Sequence, residues 1–218
     1  DSHTTYTGVT FEDFFANEAS GFHMETNSKA TVKGCTFKNA VSEAVGIFKS
    51  EGDSKLTVED STFDGSKAYM GSILWTSSSN VAVFKNNVIK NCEALTTGTF
   101  MLGPNGKGFH IEGGSLTNNK ALRGSVLYTT EVKAADSITL KDLTLTGNSV
   151  EKIGSMKYSN ERDGAGGLYF AVTKSSTVAD GTCSNFASLY GTYEKLTFVN
   201  PAAEGSGPVA YWSTDNTA

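Results

Sequence analysis

The chain has 218 residues, a formal net charge of −5 and two arginines, Arg123 and Arg162, beside 16 lysines. That length supports one substantial core, and lysines interleaved with acids leave no basic stripe to track a phosphate backbone, which argues against nucleic acid as a partner. No apolar run approaches the ~18 residues that a membrane-spanning helix needs, so no transmembrane segment is expected.

From its first residues the chain repeats. Apolar anchors stand at Phe11, Phe37, Phe63, Ile89, Leu116 and Leu145, at intervals of 26, 26, 26, 27 and 29 residues, and the alignment extends to Cys183 and Phe198. A fixed period of this size indicates a solenoid of stacked coils, about eight of them at about 26 residues each. Six positions before the anchors stand Thr5, Thr31, Thr57, Val83, His110, Thr139, Thr177 and Thr192. Five before come Tyr6, Val32, Val58, Phe84, Ile111, Leu140, Val178 and Tyr193, all apolar or aromatic. Four before, Lys33, Glu59, Lys85, Glu112 and Lys141 alternate in sign, as they would if each met its opposite on the next strand. The alternation of outward and inward positions is that of a strand.

Three before the anchor, Gly8, Gly34, Asp60, Asn86, Gly113, Asp142, Asp180 and Lys195 predict a bend, since seven of the eight tolerate turn or left-handed backbone. A second hydroxyl-rich row, Thr10, Thr36, Thr62, Val88, Ser115, Thr144, Thr182 and Thr197, adjoins the anchors on one side. On the other, Glu12, Lys38, Asp64 and Lys90 again alternate in sign. Two positions after the anchor, Asp13, Asn39, Gly65, Asn91, Asn118, Gly147, Asn185 and Asn200 predict a second turn with amides stacked along the axis. A third strand is expected eight to ten residues after most anchors, announced by Gly21, Gly46, Gly71, Gly98, Gly124, Gly154 and Gly207 and followed by apolar residues such as Ile73 and Trp75, Phe100 and Leu102, or Val126 and Tyr128. Three short strands and three turns per coil describe an all-β, parallel β-helix. Without a hexapeptide rhythm, the right-handed form is expected, as a single domain over residues 1–218 with an insertion at about 150–170.

The elements Gly71-Ser72-Ile73-Leu74 and Gly124-Ser125-Val126-Leu127, with Leu116-Thr117-Asn118-Asn119 and Leu145-Thr146-Gly147-Asn148, resemble the GGAI and FxxN repeats of polymorphic outer-membrane proteins and related β-helices of the pectin-lyase-like group. The resemblance spans roughly residues 4 to 212. It implies a surface-displayed scaffold or adhesive repeat and brings no catalytic residues.

Cys35, Cys92 and Cys183 fall in different coils, the nearest two separated by two coil rises of roughly 10 Å, beyond disulfide reach, so three free thiols are expected. The polar run containing Asn160, Glu161, Arg162 and Asp163 interrupts the repeat and is a candidate ligand loop, with a plain solvated loop as the alternative. Some pectin-lyase-like enzymes bind calcium through carboxylate clusters or hydrolyse glycans with paired Asp. Here the outward acids Glu59 and Glu112 are flanked by Lys, and His3, His23 and His110 lack ligand spacing. No catalytic residue, cofactor or metal site is assigned, and a polysaccharide lyase or hydrolase is the weaker reading. Ice binding is weaker too, since Val83 and His110 break the Thr row.

The ends shape the functional expectation. The chain opens without Met and enters its first coil at once, which reads as a processed mature chain or an excised segment of an exported protein. Neither end shows a capping helix. The expected interface residues are Tyr6, Val9, Phe11 and Phe14 at one end and Tyr193, Leu196, Phe198, Val209, Tyr211 and Trp212 at the other. They suggest head-to-tail self-association into an extracellular filament or surface appendage, a non-enzymatic structural protein. The alternative is a cell-surface adhesin or carbohydrate-binding segment whose partner is a glycan or a cell surface.

Overall fold

The computed structural model describes residues 2–77, 80–103, 108–129, 138–153, 167–171, 192–205 and 207–213, which form three sheets wound around one axis. The second and third sheets hold seven strands each, one per coil, and the first sheet carries two limbs per coil, fused in the coils of Ile89 and Leu116 into the strands Val81–Lys90 and Gly108–Thr117. All pairing is parallel, and the columns stack as the periodicity requires. Phe11 pairs with Phe37, Phe37 with Phe63, Phe63 with Ile89, Ile89 with Leu116, Leu116 with Leu145 and Leu145 with Phe198. The charged column runs Lys33, Glu59, Lys85, Glu112, Lys141 and Glu194. Within it Lys33 lies 3.5 Å from Glu59 and Lys141 lies 3.9 Å from Glu112. In the second alternating row Lys38 reaches Glu12 at 3.4 Å and Lys90 reaches Asp64 at 3.1 Å.

Two corners in every coil explain the turn columns. Three before the anchor, Gly8, Gly34, Asp60, Asn86, Gly113, Asp142 and Lys195 all have φ between 49° and 68°. Two after it, Asp13, Asn39, Gly65, Asn91, Asn118, Gly147 and Asn200 have φ between 50° and 74°. Left-handed backbone is what Gly, Asn and Asp supply at least cost, so the composition of these columns follows from the bend. Lys195 bends there without any of these side chains. The glycine that announces the third strand is a close approach: a Cβ at Gly46 would lie 2.1 Å from the Ser72 carbonyl oxygen.

Inside, the aromatic anchors stack along the axis. Phe11 and Phe37 lie 4.9 Å apart at 9° and Phe37 and Phe63 4.8 Å apart at 4°, while Phe22 and Phe48 form a parallel stack at 5.1 Å and 20°. The interior also carries polar ladders at the corners, where the turning backbone loses a strand partner. Asn87 Oδ1 accepts from the Ser61 amide at 2.9 Å, and Ser61 Oγ accepts from the Cys35 amide at 3.1 Å. At the other corner Asn119 Oδ1 accepts from the Cys92 amide and Asn148 Oδ1 from the Asn119 amide, both at 3.0 Å. The closing Asn of each FxxN-like element therefore satisfies the buried corner one coil earlier.

Two expectations are corrected. The stack has seven coils among the described residues rather than eight, and the coil of Leu145 pairs directly with that of Phe198, where Thr177 to Cys183 were expected to intervene. Those positions, with Asn185, lie in residues 172–191, outside the described residues. The third strand of the sixth coil does not follow Gly154; it is Leu168–Ala171, after Gly167, and it pairs with Leu127–Thr129. Trp75 and Tyr128 occupy the outward middle position of their strands, whereas Leu74 and Leu127 are buried. The irregular spacing has a geometric origin. Between the third sheet and the next coil, three residues separate Met24 from Ser28, eight separate Thr129 from Ile138 and twenty separate Ala171 from Thr192. The stack keeps its register across all three separations.

The amide ladder gives a direct test. Asn119→Ala leaves the buried amide of Cys92 without its partner, and urea unfolding should show a loss of about 1–3 kcal/mol. The exposed Lys38→Ala, which removes only a surface ion pair with Glu12, should lose clearly less.

Candidate functional site

The first coil presents an apolar cross-section. Within this chain Ser2–Thr7, Thr10–Glu12, Phe15–Ala16 and Phe22–Met24 each pair on one side only. Their inward side chains line a hollow of about 480 Å³ bounded by Tyr6, Thr10, Phe11, Glu12, Phe14, Ser20, Gly21 and Phe22. The rings brace one another: Tyr6 meets Phe22 edge-on at 5.0 Å and Phe11 at 6.1 Å, and Phe11 and Phe14 are 6.3 Å apart. Tyr6, Phe11 and Phe14 thus share one surface, and Val9 is partly buried against the core. Phe22 belongs with them, and its sequence signal was its place in the inward column of Phe48 and Leu74, hidden by the three-residue length of that strand.

At the other end Leu196 and Phe198 are partly buried against the core, while Tyr193 and Val209 remain 38% and 40% exposed. Tyr211 and Trp212 lie in the strand Ala210–Ser213, paired in backbone register with Tyr169 and Phe170. Asn160, Glu161, Arg162 and Asp163 lie outside the described residues.

The flank of the third sheet carries a feature that sequence reasoning missed. Its single outward column runs His23, Lys49, Trp75, Met101 and Tyr128. Lys49 lies 5.8 Å from the Trp75 ring centre, 3.0 Å from Glu51 and in contact with Glu18, and His23 Nε2 is 2.7 Å from Glu51 Oε2. The His23 hydrogen bond, followed by Lys49, holds the Glu51 carboxyl below the usual range against the opposing effect of burial, and Lys49 does the same for Glu18. Burial works to lower the Lys49 ammonium, but its hydrogen bonds to the two acids leave it above the usual lysine value. Lys49 thus engages both Glu18 and Glu51, and His23 engages Glu51 from the other side.

Elsewhere no group of three or more His, Cys, Asp or Glu that could hold a metal ion occurs among the described residues, and no helix there is long and apolar enough to cross a membrane. Cys35 and Cys92 are buried free thiols at different corners of the coil. Burial pushes the Cys92 thiol up to about 12, which keeps it neutral and unreactive. A thiol reagent at pH 8 should therefore leave Cys35 and Cys92 unlabelled in the native protein and modify both after denaturation, read by peptide mass mapping.

The family comparison agrees with this geometry. A family model described as a right handed beta helix region matches residues 1–150, whereas no curated protein and no solved structure matches the chain. With two thirds of its length under that match and seven parallel coils on one axis, the chain belongs to the right-handed β-helix family.

Proposed function

We propose that this protein is a non-enzymatic structural subunit, extracellular or displayed on a cell surface, that assembles end to end into a filament or appendage. The observation that carries the reading is the column chemistry, in which each coil stacks on residues of its own kind, as Phe11 does on Phe37 and Phe37 on Phe63. A coil of that kind is a template for another parallel coil. A contact between unlike ends does not close on itself, so its repetition yields a filament. The outward acids support a structural reading, because Glu12, Glu59, Asp64 and Glu112 are engaged by lysines of adjacent coils.

A second reading, a carbohydrate-binding or adhesive segment, is favoured by the outward column of Trp75, Met101 and Tyr128. Aromatic side chains beside hydrogen-bonding groups suit a sugar surface. On that reading Trp75→Ala abolishes retention on a glycan array and leaves assembly unchanged.

Electron microscopy and sedimentation velocity over a dilution series test the first reading. Fibres with an axial repeat of roughly 34 Å, seven coil rises, are expected. Phe11→Asp should abolish them and Glu112→Lys should leave them intact, with circular dichroism confirming that both variants keep their sheet content. Monomers at every concentration would overturn the assembly and turn attention to glycan binding.

A further inference from the structure

The outward column of the third sheet runs along the axis. Trp75, Met101 and Tyr128 hold its half-buried middle positions in consecutive coils, and backbone register places Tyr169 and Tyr211 in the same column of the next two. We propose that this stripe binds an uncharged polysaccharide in an extended, β-linked form, laid along the axis with sugar rings on Trp75 and Tyr128 and with Met101 between them. This rests on the carbohydrate-binding reading above and specifies its site and its class of glycan, and it is independent of how the protein assembles.

The relief around the stripe suits a flat chain. On one side Gly71 and Gly98 are set against it: a Cβ at Gly71 would lie 3.3 Å from the Met101 Cβ, and one at Gly98 would lie 3.1 Å from the Tyr128 backbone nitrogen. On the other side, two residues beyond Trp75 and Met101 and on the same face, stand Ser77 and Gly103. These four border positions carry nothing larger than a hydroxymethyl group, so the stripe is a platform rather than a groove. A bound peptide helix is gripped by a groove with side-chain anchors, whereas the C–H face of a sugar ring lies flat on an aromatic surface.

The spacing selects an extended chain. Trp75 and Tyr128 are two coil rises apart, roughly 10 Å, which is comparable with the length of a disaccharide in an extended β-linked chain. Successive units of such a chain are turned over, so every second ring presents the same face, and the two aromatic side chains meet like faces. A helical, α-linked chain curves away from a straight line of platforms.

Charge selects a neutral ligand. Lys49 lies 5.8 Å from the Trp75 ring centre and is engaged by Glu18 and Glu51. Arg123 adjoins the stripe through its register partner Thr97, whose hydroxyl donates to Met101 Sδ at 3.1 Å. Two cations and two acids balance, so the flank has no excess charge to hold a polyanion, while these groups offer hydrogen bonds to sugar hydroxyls.

Affinity electrophoresis of the full chain in gels containing soluble β-glucan, amylose or polygalacturonate tests the class. Retardation by β-glucan is expected, unchanged by added salt. Trp75→Ala and Tyr128→Ala should each weaken it about tenfold, and Trp75→Phe should keep most of it. Lys67→Ala, which breaks an ion pair with Glu93 on the second sheet, should leave it unchanged, with circular dichroism confirming sheet content in every variant. By calorimetry, affinity should rise about tenfold from cellobiose to cellohexaose, because only the longer chain reaches both rings. Retardation by polygalacturonate alone, or equal retardation by amylose, overturns the class of glycan. Retardation by β-glucan that neither alanine variant weakens overturns the site. A smaller sedimentation coefficient for Trp75→Ala, without retardation of the unaltered chain, assigns the stripe to a contact between copies and overturns the proposal. Retention on a glycan array without retardation by β-glucan overturns this inference and leaves the carbohydrate reading intact, whereas an empty array removes both.

Discussion

Parallel stacking at the strand spacing of about 4.8 Å sets each side chain against the residue in its own column one coil away, and the rest of the structure depends on that constraint. A globular core can pair a large residue with a small one found anywhere in the chain. Here the neighbour is fixed by the period, so each column must suit itself. Columns of Phe stack, hydroxyl columns stack, and a charged column is tolerable only when its sign alternates, as it does from Lys33 to Glu194. The gain per exposed ion pair is small. The larger effect is avoidance, since an unalternated column would place like charges side by side along the whole body.

The same constraint governs the corners. A coil that bends twice at left-handed backbone must find residues that accept it at both places in all seven turns, and thirteen of the fourteen are Gly, Asn or Asp. Bending also takes backbone amides out of the sheet, and a buried amide without a partner costs more than a hydrogen bond normally contributes. Ser61, Asn87, Asn119 and Asn148 answer that need from the next coil. Polar residues in the interior are thus part of the repeat, and the FxxN-like elements are intelligible as an anchor followed by the amide that caps the preceding corner.

This explains what was legible in the sequence and what was not. The two limbs of the first sheet and the corner between them are rigidly spaced, so anchors, inward columns, hydroxyl rows and both turn columns read off by counting. The third sheet was harder. Its strands hold three residues with a single outward position, too short for alternation to declare itself, so Phe22 was missed as an end residue and the outward column of Trp75 went unseen. Past Leu145 the count failed because the separation between the third sheet and the next coil grows to twenty residues, from Ala171 to Thr192. Hydrogen-bond register, which spacing alone does not encode, places Phe198 directly after Leu145.

Self-compatible columns also set the order of coils. A coil suited to a copy of itself above and below would suit any coil with the same column chemistry. The body controls this through charge: Lys33, Glu59, Lys85, Glu112 and Lys141 fill one column of coils two to six, with Lys38, Asp64 and Lys90 in a second. Alternation of sign favours a neighbour of opposite charge and penalises one of like charge, so the two ladders fix the order in which the coils stack.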